Sequence, residues 1–202
     1  MVLSIVRPKI ARLGGVQRIV VVGTSGSGKT ALARRLADRL GYPYVELDAL
    51  HWNPNWTGAP PEEFRARVTQ AVASETWVVD GNYARVRDVV WVRADTIVWL
   101  DYPLPVILWR LLRRTVRRVL TRQELWAGNR ENLRTAIFSR DSIFLWALQT
   151  YRTHRRTYAA VTGDPAHAHL TVVRLHSPRA SAAWLEGLPG SAAVLIDKAA
   201  RR

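Results

Sequence analysis

Cysteine is missing from this 202-residue chain, which excludes disulfides and thiolate-held metals and leaves the redox compartment unread. Acidic residues are scarce: 16 Asp and Glu stand against 30 Lys and Arg, for a formal charge of +14. That balance attracts polyanions, so nucleotide and nucleic acid both have to be weighed as partners. Lysine is nearly absent as well, only Lys9, Lys29 and Lys198, so the basic character is arginine, a bias that coding composition alone can produce. No uninterrupted apolar run approaches the roughly 18 residues of a membrane span. Residues 1–15 carry Arg7, Lys9 and Arg12 where a signal peptide needs an uncharged apolar core. A cytoplasmic protein with no membrane partner is the expectation.

Against that scarcity Lys29 stands out, and its setting explains why. Gly23-Thr24-Ser25-Gly26-Ser27-Gly28-Lys29-Thr30 has the spacing of a phosphate-binding P-loop. The glycines let main-chain N–H groups of Gly23 to Thr30 turn inward around phosphates. Lys29 supplies a mobile charge for the β and γ phosphates, and the Thr30 hydroxyl suits Mg²⁺. The apolar run Arg18 to Val22 reads as a buried strand before the loop, and Thr30 to Leu40 as a helix whose positive end faces the anion. ATP with Mg²⁺ is the expected cofactor.

Further strand-like runs are Tyr44–Leu47, Thr76–Val79, Thr96–Leu100 and Leu170–Val173. Helical patterns lie at Pro61–Ala73, Pro103–Leu120, Asp141–Val161 and Pro178–Glu186. The alternation predicts an α/β three-layer sandwich, a mainly parallel five-stranded sheet between helices, with ligands at the carboxyl ends of the strands. Residues 1–16 read as a basic extension, 17–188 as the P-loop domain and 189–202 as a tail.

Asp48, Asp80 and Asp101 each follow a predicted strand. An apolar strand ending in Asp suits a carboxylate that holds Mg²⁺ through water or orients an attacking hydroxyl; Asp is also simply common in turns. Asp80 and Asp48 are the better candidates, because Tyr102-Pro103 after Asp101 reads as a plain helix start. In Pro103–Leu120, Arg110, Arg113, Arg114, Arg117 and Arg118 fall on one side, and Leu104, Ile107, Leu108, Leu111, Leu112, Val116 and Val119 on the other. The basic side leads into Arg122, Arg130 and Arg134. Arg118, Arg122 and Arg130 are the favoured phosphate contacts, with Arg114 and Arg152 next, and Arg155 and Arg156 on the same later helix as Arg152. Trp77, Trp91, Trp99, Trp109, Trp146 and Trp184 sit in apolar segments and are expected in the core. Trp52, Trp56 and Trp126 sit in predicted loops, where an aromatic face can hold a planar substrate. Ser177 reads as the cap of the last helix and as a weak base-contact candidate.

Three blocks, YVELDALHWNPNW (Tyr44 to Trp56), WVVDGNYARVRD (Trp77 to Asp88) and ELWAGNRENLR (Glu124 to Arg134), together resemble the adenylate-kinase-related P-loop proteins often labelled DNA topology modulation proteins. The similarity runs from about Arg18 to Leu185. It implies a nucleotide-kinase-like fold with a short Arg-rich lid at about 121–140, and transfer of the γ-phosphoryl of Mg-ATP to a small acceptor. It places Asp80 beside Mg²⁺ with Thr30, and gives Asp48, His51, Trp52, Gly81, Asn82 and Tyr83 the acceptor. Asp48 would contact or deprotonate the acceptor hydroxyl. His51 can equally be structural, and Asn82 and Tyr83 can merely form a turn. Asn82-Tyr83 stands where adenylate kinases have Phe-Pro-Arg, so the arginine that grips a nucleoside monophosphate there is absent.

Two other readings remain. A P-loop protein acting on DNA would use the net charge as its footprint. A GTP-dependent switch needs a guanine-reading Asn/Thr-Lys-x-Asp motif, and none of the three lysines has that setting.

Overall fold

The computed structural model describes residues 16–131 and 142–188. The first strand, β1 (Arg18–Gly23), is central because its residues are apolar without alternation. A strand covered on both faces reads as a continuous Val/Ile run, and a half-exposed one does not. Ile19 and Val21 enter one core cluster with Leu32, Leu36, Val98 and Trp184. Val20 and Val22 enter another with Phe64, Val68, Trp77, Trp99 and Tyr158. Burial of each such side chain contributes about 1.5–3 kcal/mol.

The chain continues through α1 (Lys29–Leu40), β2 (Tyr44–Glu46), α2 (Leu47–His51), β3 (Trp52–Asn53), β4 (Thr57–Gly58), α3 (Pro61–Ala71), β5 (Trp77–Asp80), α4 (Arg87–Trp91), β6 (Thr96–Leu100), α5 (Leu104–Leu120), α6 (Ile143–Val161), β7 (Thr171–Leu175) and α7 (Pro178–Glu186). β2, β5, β1, β6 and β7 form one five-stranded sheet in that spatial order, with every pair parallel. The five-stranded α/β architecture expected from the alternation is the one observed. The carboxyl ends of β1, β2 and β5 therefore point the same way, which brings Gly23, Glu46 and Asp80 to one edge. Ser177 caps α7 as expected, its Oγ accepting from the Ala180 N–H at 3.1 Å.

Several expectations need correction. β2 stops at Glu46, so Asp48 does not follow a strand: it lies in the first turn of α2, where a carboxylate favours the helix dipole. β3 and β4 form a two-residue antiparallel hairpin that no periodicity announced. In α5 the inward residues are Ile107, Leu111 and Thr115, whereas Trp109, Leu112, Val116 and Leu120 are exposed. The expected apolar side is thus covered only in part: Ile107 and Leu111 are buried, Leu104, Leu108 and Val119 half-buried, and Leu112 and Val116 exposed. Trp146 of α6 is exposed too, while Trp77, Trp91, Trp99 and Trp184 are buried as expected. The basic extension, the C-terminal tail, Arg134 and most of the second half of the expected lid lie outside the described residues.

Candidate active site

The P-loop joins β1 to α1 and is pressed against α5. Gly26 has φ +89°, and a Cβ there would lie 2.8 Å from the Ile107 carbonyl oxygen and 2.9 Å from Leu111 Cβ. Gly28 has φ +95°, and a Cβ there would meet the Arg110 guanidinium at 2.5 Å. Only glycine satisfies both the left-handed backbone and the close approach. The Ser27 N–H donates to the Thr24 carbonyl at 3.0 Å and closes the turn. α1 begins with no side-chain cap and no acidic residue in its first turn, so its leading N–H groups remain available to a phosphate. Lys29 Nζ folds back to the Thr24 carbonyl at 3.4 Å. Burial lowers the Lys29 pKa, Asp80 and Asp48 oppose that shift, and Arg114 adds to it.

Asp80, the last residue of β5, is 3% exposed. It accepts from Tyr44 Oη at 3.2 Å and from the Thr30 hydroxyl. Burial pushes its pKa up to about 6; the Thr30 bond and Lys29 oppose, while Glu46 and Asp48 reinforce. A hydroxyl beside a carboxylate is an oxygen donor pair suited to Mg²⁺. Among the described residues no group of three or more His, Asp or Glu is placed to hold an ion alone.

Asp48 accepts from Tyr83 Oη at 2.6 Å. The His51 ring stands 4.8 Å from Tyr83, 4.7 Å from Trp52 and 5.0 Å from Phe64, and burial lowers its pKa. Trp52 lies 5.5 Å from Trp56, which lies 6.3 Å from Trp126. An aromatic file thus runs from α2 through the hairpin to the lid. Gly81 donates its N–H to the Val21 carbonyl at 3.5 Å. Asn82 faces the P-loop: Oδ1 accepts from the Gly23 N–H at 3.3 Å and Nδ2 donates to the Gly23 carbonyl at 2.5 Å. Tyr158 Oη donates to the same Oδ1 at 2.9 Å.

The arginines divide. Arg110, Arg114 and Arg118, spaced one turn apart, are the partly buried arginines of α5, while Arg113 and Arg117 are exposed. Burial lowers the Arg114 pKa, Arg118 adds to that, and Glu131 and Asp48 oppose it. Arg118 Nη1 donates to Glu131 Oε1 at 2.6 Å, with Arg114 Nη2 3.9 Å from the same oxygen. Arg122 is exposed with φ +47°. Arg130 is exposed, 3.6 Å from Glu124. Arg155 and Arg174 hold the fully buried Asp101 carboxylate at 2.7 and 2.5 Å. That network sets Asp101 and Arg155 apart from the P-loop acids, and Arg152 and Arg156 line a groove beside it.

Lys29, Thr30, Asp80 and Asp48 are therefore brought together with the loop glycines, Ser25 and Ser27. Arg114 and Arg118 are half-buried and the charge of Arg114 is felt by Lys29, whereas Arg122 and Arg130 are exposed. Sequence reasoning missed Tyr44, Asn129, Glu131, His154 and Tyr158. Asn129 and Glu131 lay inside a quoted block, which was their only signal. His154 of α6 gave none; its pKa falls to about 4 through burial, with Lys29 and Arg87 adding to the shift.

Residues 19–100 match the family described as ATPase family associated with various cellular activities (AAA). A shikimate kinase of Synechococcus elongatus is 30% identical over 143 residues, covering 60% of this chain and 75% of the relative. One from Thermosynechococcus vestitus is 34% identical over 128 residues, covering 56% and 69%. A crystal structure of a gluconokinase from Sinorhizobium meliloti superposes with a TM-score of 0.47 at 22% identity, covering 84% of this chain and 91% of that one. The relatives support the P-loop kinase part of the resemblance. They lend nothing to the DNA topology label, to a nucleic-acid partner or to adenylate-kinase-like acceptor choice. Among the described residues no helix is long and apolar enough to cross a membrane.

Proposed function

Because this chain belongs to the family of P-loop kinases that includes the shikimate kinases, it is an ATP-dependent phosphotransferase, and we propose that it moves the γ-phosphoryl of Mg-ATP to a hydroxyl of a small non-nucleotide acceptor. The observation that carries this reading is the P-loop between β1 and α1, with Gly26 and Gly28 left-handed and Lys29 opening α1, beside Asp80, which pairs with Val21 at the carboxyl end of the neighbouring β5. Main-chain amides of Gly23 to Thr30 hold the β and γ phosphates. Thr30 and Asp80 would hold Mg²⁺, which would supply positive charge against the phosphates of ATP. Asp48, held by Tyr83, accepts a hydrogen bond from the acceptor hydroxyl and takes its proton as the phosphoryl moves. Arg114 stabilises charge on the phosphoryl in flight, with Arg118 beside it. Arg122 and Arg130 act only from an arrangement other than the one described. His51, Trp52 and Tyr83 wall the acceptor.

Nucleoside monophosphates are disfavoured as acceptors. Asn82 is engaged by Gly23 and Tyr83 by Asp48, so neither takes the place of the arginine that grips a nucleoside monophosphate in adenylate kinases; the first cation of the segment is Arg85, whose charge reaches His51. The relatives named for shikimate indicate a hydroxylated acid instead. ADP release from Mg-ATP, measured with shikimate, gluconate, other polyols, nucleosides and AMP beside Lys29→Ala, tests this. Release that depends on one hydroxylated acceptor and vanishes in the variant is expected. AMP-dependent release, or none with any acceptor, would overturn the assignment.

A further inference from the structure

The block Trp126 to Glu131 finds no use in the reaction above, yet it is the most heavily bonded part of the lid that is described. Asn129 is 6% exposed. Its Oδ1 accepts from the Trp56 N–H at 2.9 Å, and its Nδ2 donates to the carbonyls of Asn53 and Trp126, both at 2.9 Å. The main chain repeats the closure, with Leu125 N–H on the Asn129 carbonyl at 2.7 Å and Asn129 N–H on the Trp126 carbonyl at 3.1 Å. Both loops so joined are left-handed: Asn55 and Trp56 at φ +60° and +54°, Ala127 and Gly128 at φ +53° and +77°. Non-glycine residues hold that conformation only where their surroundings over-determine it. A side-chain amide with both ends engaged supplies such a restraint.

Two residues on, the same strand of chain reaches the arginines. Glu131 is mostly buried and takes Arg118 and Arg114 on Oε1. Its Oε2 and the Arg114 Nε have no hydrogen-bond partner among the described residues. The Arg114 charge is felt by Lys29 and feels Asp48.

We infer that Trp126–Glu131 is a connector joining the acceptor hairpin to the arginines of α5, with Asn129 and Glu131 as its positioning residues. Asn129 holds Trp56, and through it the aromatic file, at the acceptor. Glu131 anchors Arg118 and so leaves Arg114 directed at the P-loop. The inference rests on the proposed reaction for its kinetic consequence, but its geometry is independent of the acceptor's identity.

Asn129→Ala, Asn129→Asp and Glu131→Gln separate positioning from mere support. ADP affinity, melting temperature, tryptophan emission and acceptor-dependent ADP release are measured for each. Asn129→Ala is expected to keep ADP affinity within about threefold while raising the acceptor KM at least tenfold. Asn129→Asp keeps the acceptor for Trp56 but sets a carboxylate oxygen against the Asn53 and Trp126 carbonyls, and should raise the acceptor KM at least as much as Asn129→Ala. Glu131→Gln should lower kcat at least tenfold with the acceptor KM little changed. Wild-type kinetics, or losses in ADP affinity and rate that merely follow the melting temperature, would overturn the connector. If the wild type turns over none of the acceptors, the proposed reaction fails, but the connector is still judged by ADP titration. The ADP-induced change in tryptophan emission, assigned with Trp126→Phe, should be lost in Glu131→Gln, and its persistence would overturn the inference.

Discussion

Asn82 grips Gly23 by both main-chain polar groups, Nδ2 to its carbonyl and Oδ1 from its amide. The carboxyl end of β1, from which the P-loop springs, is thereby fixed by a side chain from beyond β5. Asn82→Ala should destabilise the fold by roughly 2–4 kcal/mol, because it leaves those groups and the buried Tyr158 hydroxyl without partners. Chemical denaturation checks the stability and ADP titration the accompanying loss of affinity. A change below about 0.5 kcal/mol would contradict the account.

Gly26 and Gly28 are both left-handed, but what faces them differs. An alanine methyl at Gly26 meets a main-chain carbonyl of α5, whereas at Gly28 it meets the far end of Arg110. Gly26→Ala should therefore lower the melting temperature more than Gly28→Ala. Both carry about 1 kcal/mol or more of backbone strain, and both should weaken ADP binding, read by calorimetry.

The orientation of α5 makes a contrast between neighbouring turns. Leu111 is fully buried and Trp109 is 60% exposed. Leu111→Ala should cost about 2–5 kcal/mol, and Trp109→Ser less than about 0.5 kcal/mol. Urea denaturation of the two variants decides which face is the inner one.

His154 contributes a pH dependence of definite sign. Its folded pKa of about 4 lies below the ordinary 6.5 because it is buried beside Lys29 and Arg87, with the Tyr158 ring on its own helix. The unfolded chain thus binds the proton first, and stability is complete above pH 6.5 and lost as pH falls toward 4, by at most about 3 kcal/mol. Asp80, raised to about 6, acts in the opposite direction between pH 6 and 3.8, so the test is a difference. His154→Gln should lose less stability than the wild type between pH 7 and 4.5, and equal slopes would sink the assignment.

The sheet and its loop were legible in the sequence, because a strand buried on both faces leaves an unbroken apolar run and a P-loop leaves a fixed spacing. Asp80 was legible for the same reason, at the end of such a run. α5 was legible as a helix but only partly in its facing: Ile107 and Leu111 of the apolar side are buried, whereas periodicity did not show that the half-buried Arg110, Arg114 and Arg118 border them while Leu112 and Val116 are exposed. The hairpin Trp52–Gly58 and the short α2 were not legible, since two paired residues carry no period and their restraint comes from the distant Asn129. The burial of Arg114 was not legible, because a position in a predicted loop favoured Arg122 and Arg130, while the contact of Arg114 with Glu131 is a tertiary matter.

The place of β1 in the middle of the sheet has a bearing on synthesis. It leaves the ribosome first among the strands described, yet its two neighbours are Trp77–Asp80 and Thr96–Leu100. Until those segments have been translated, its valines and its unpaired ladder groups have no native partner. That interval is when the nascent chain most needs a chaperone, and when slowing of translation upstream of Trp77 would most increase aggregation.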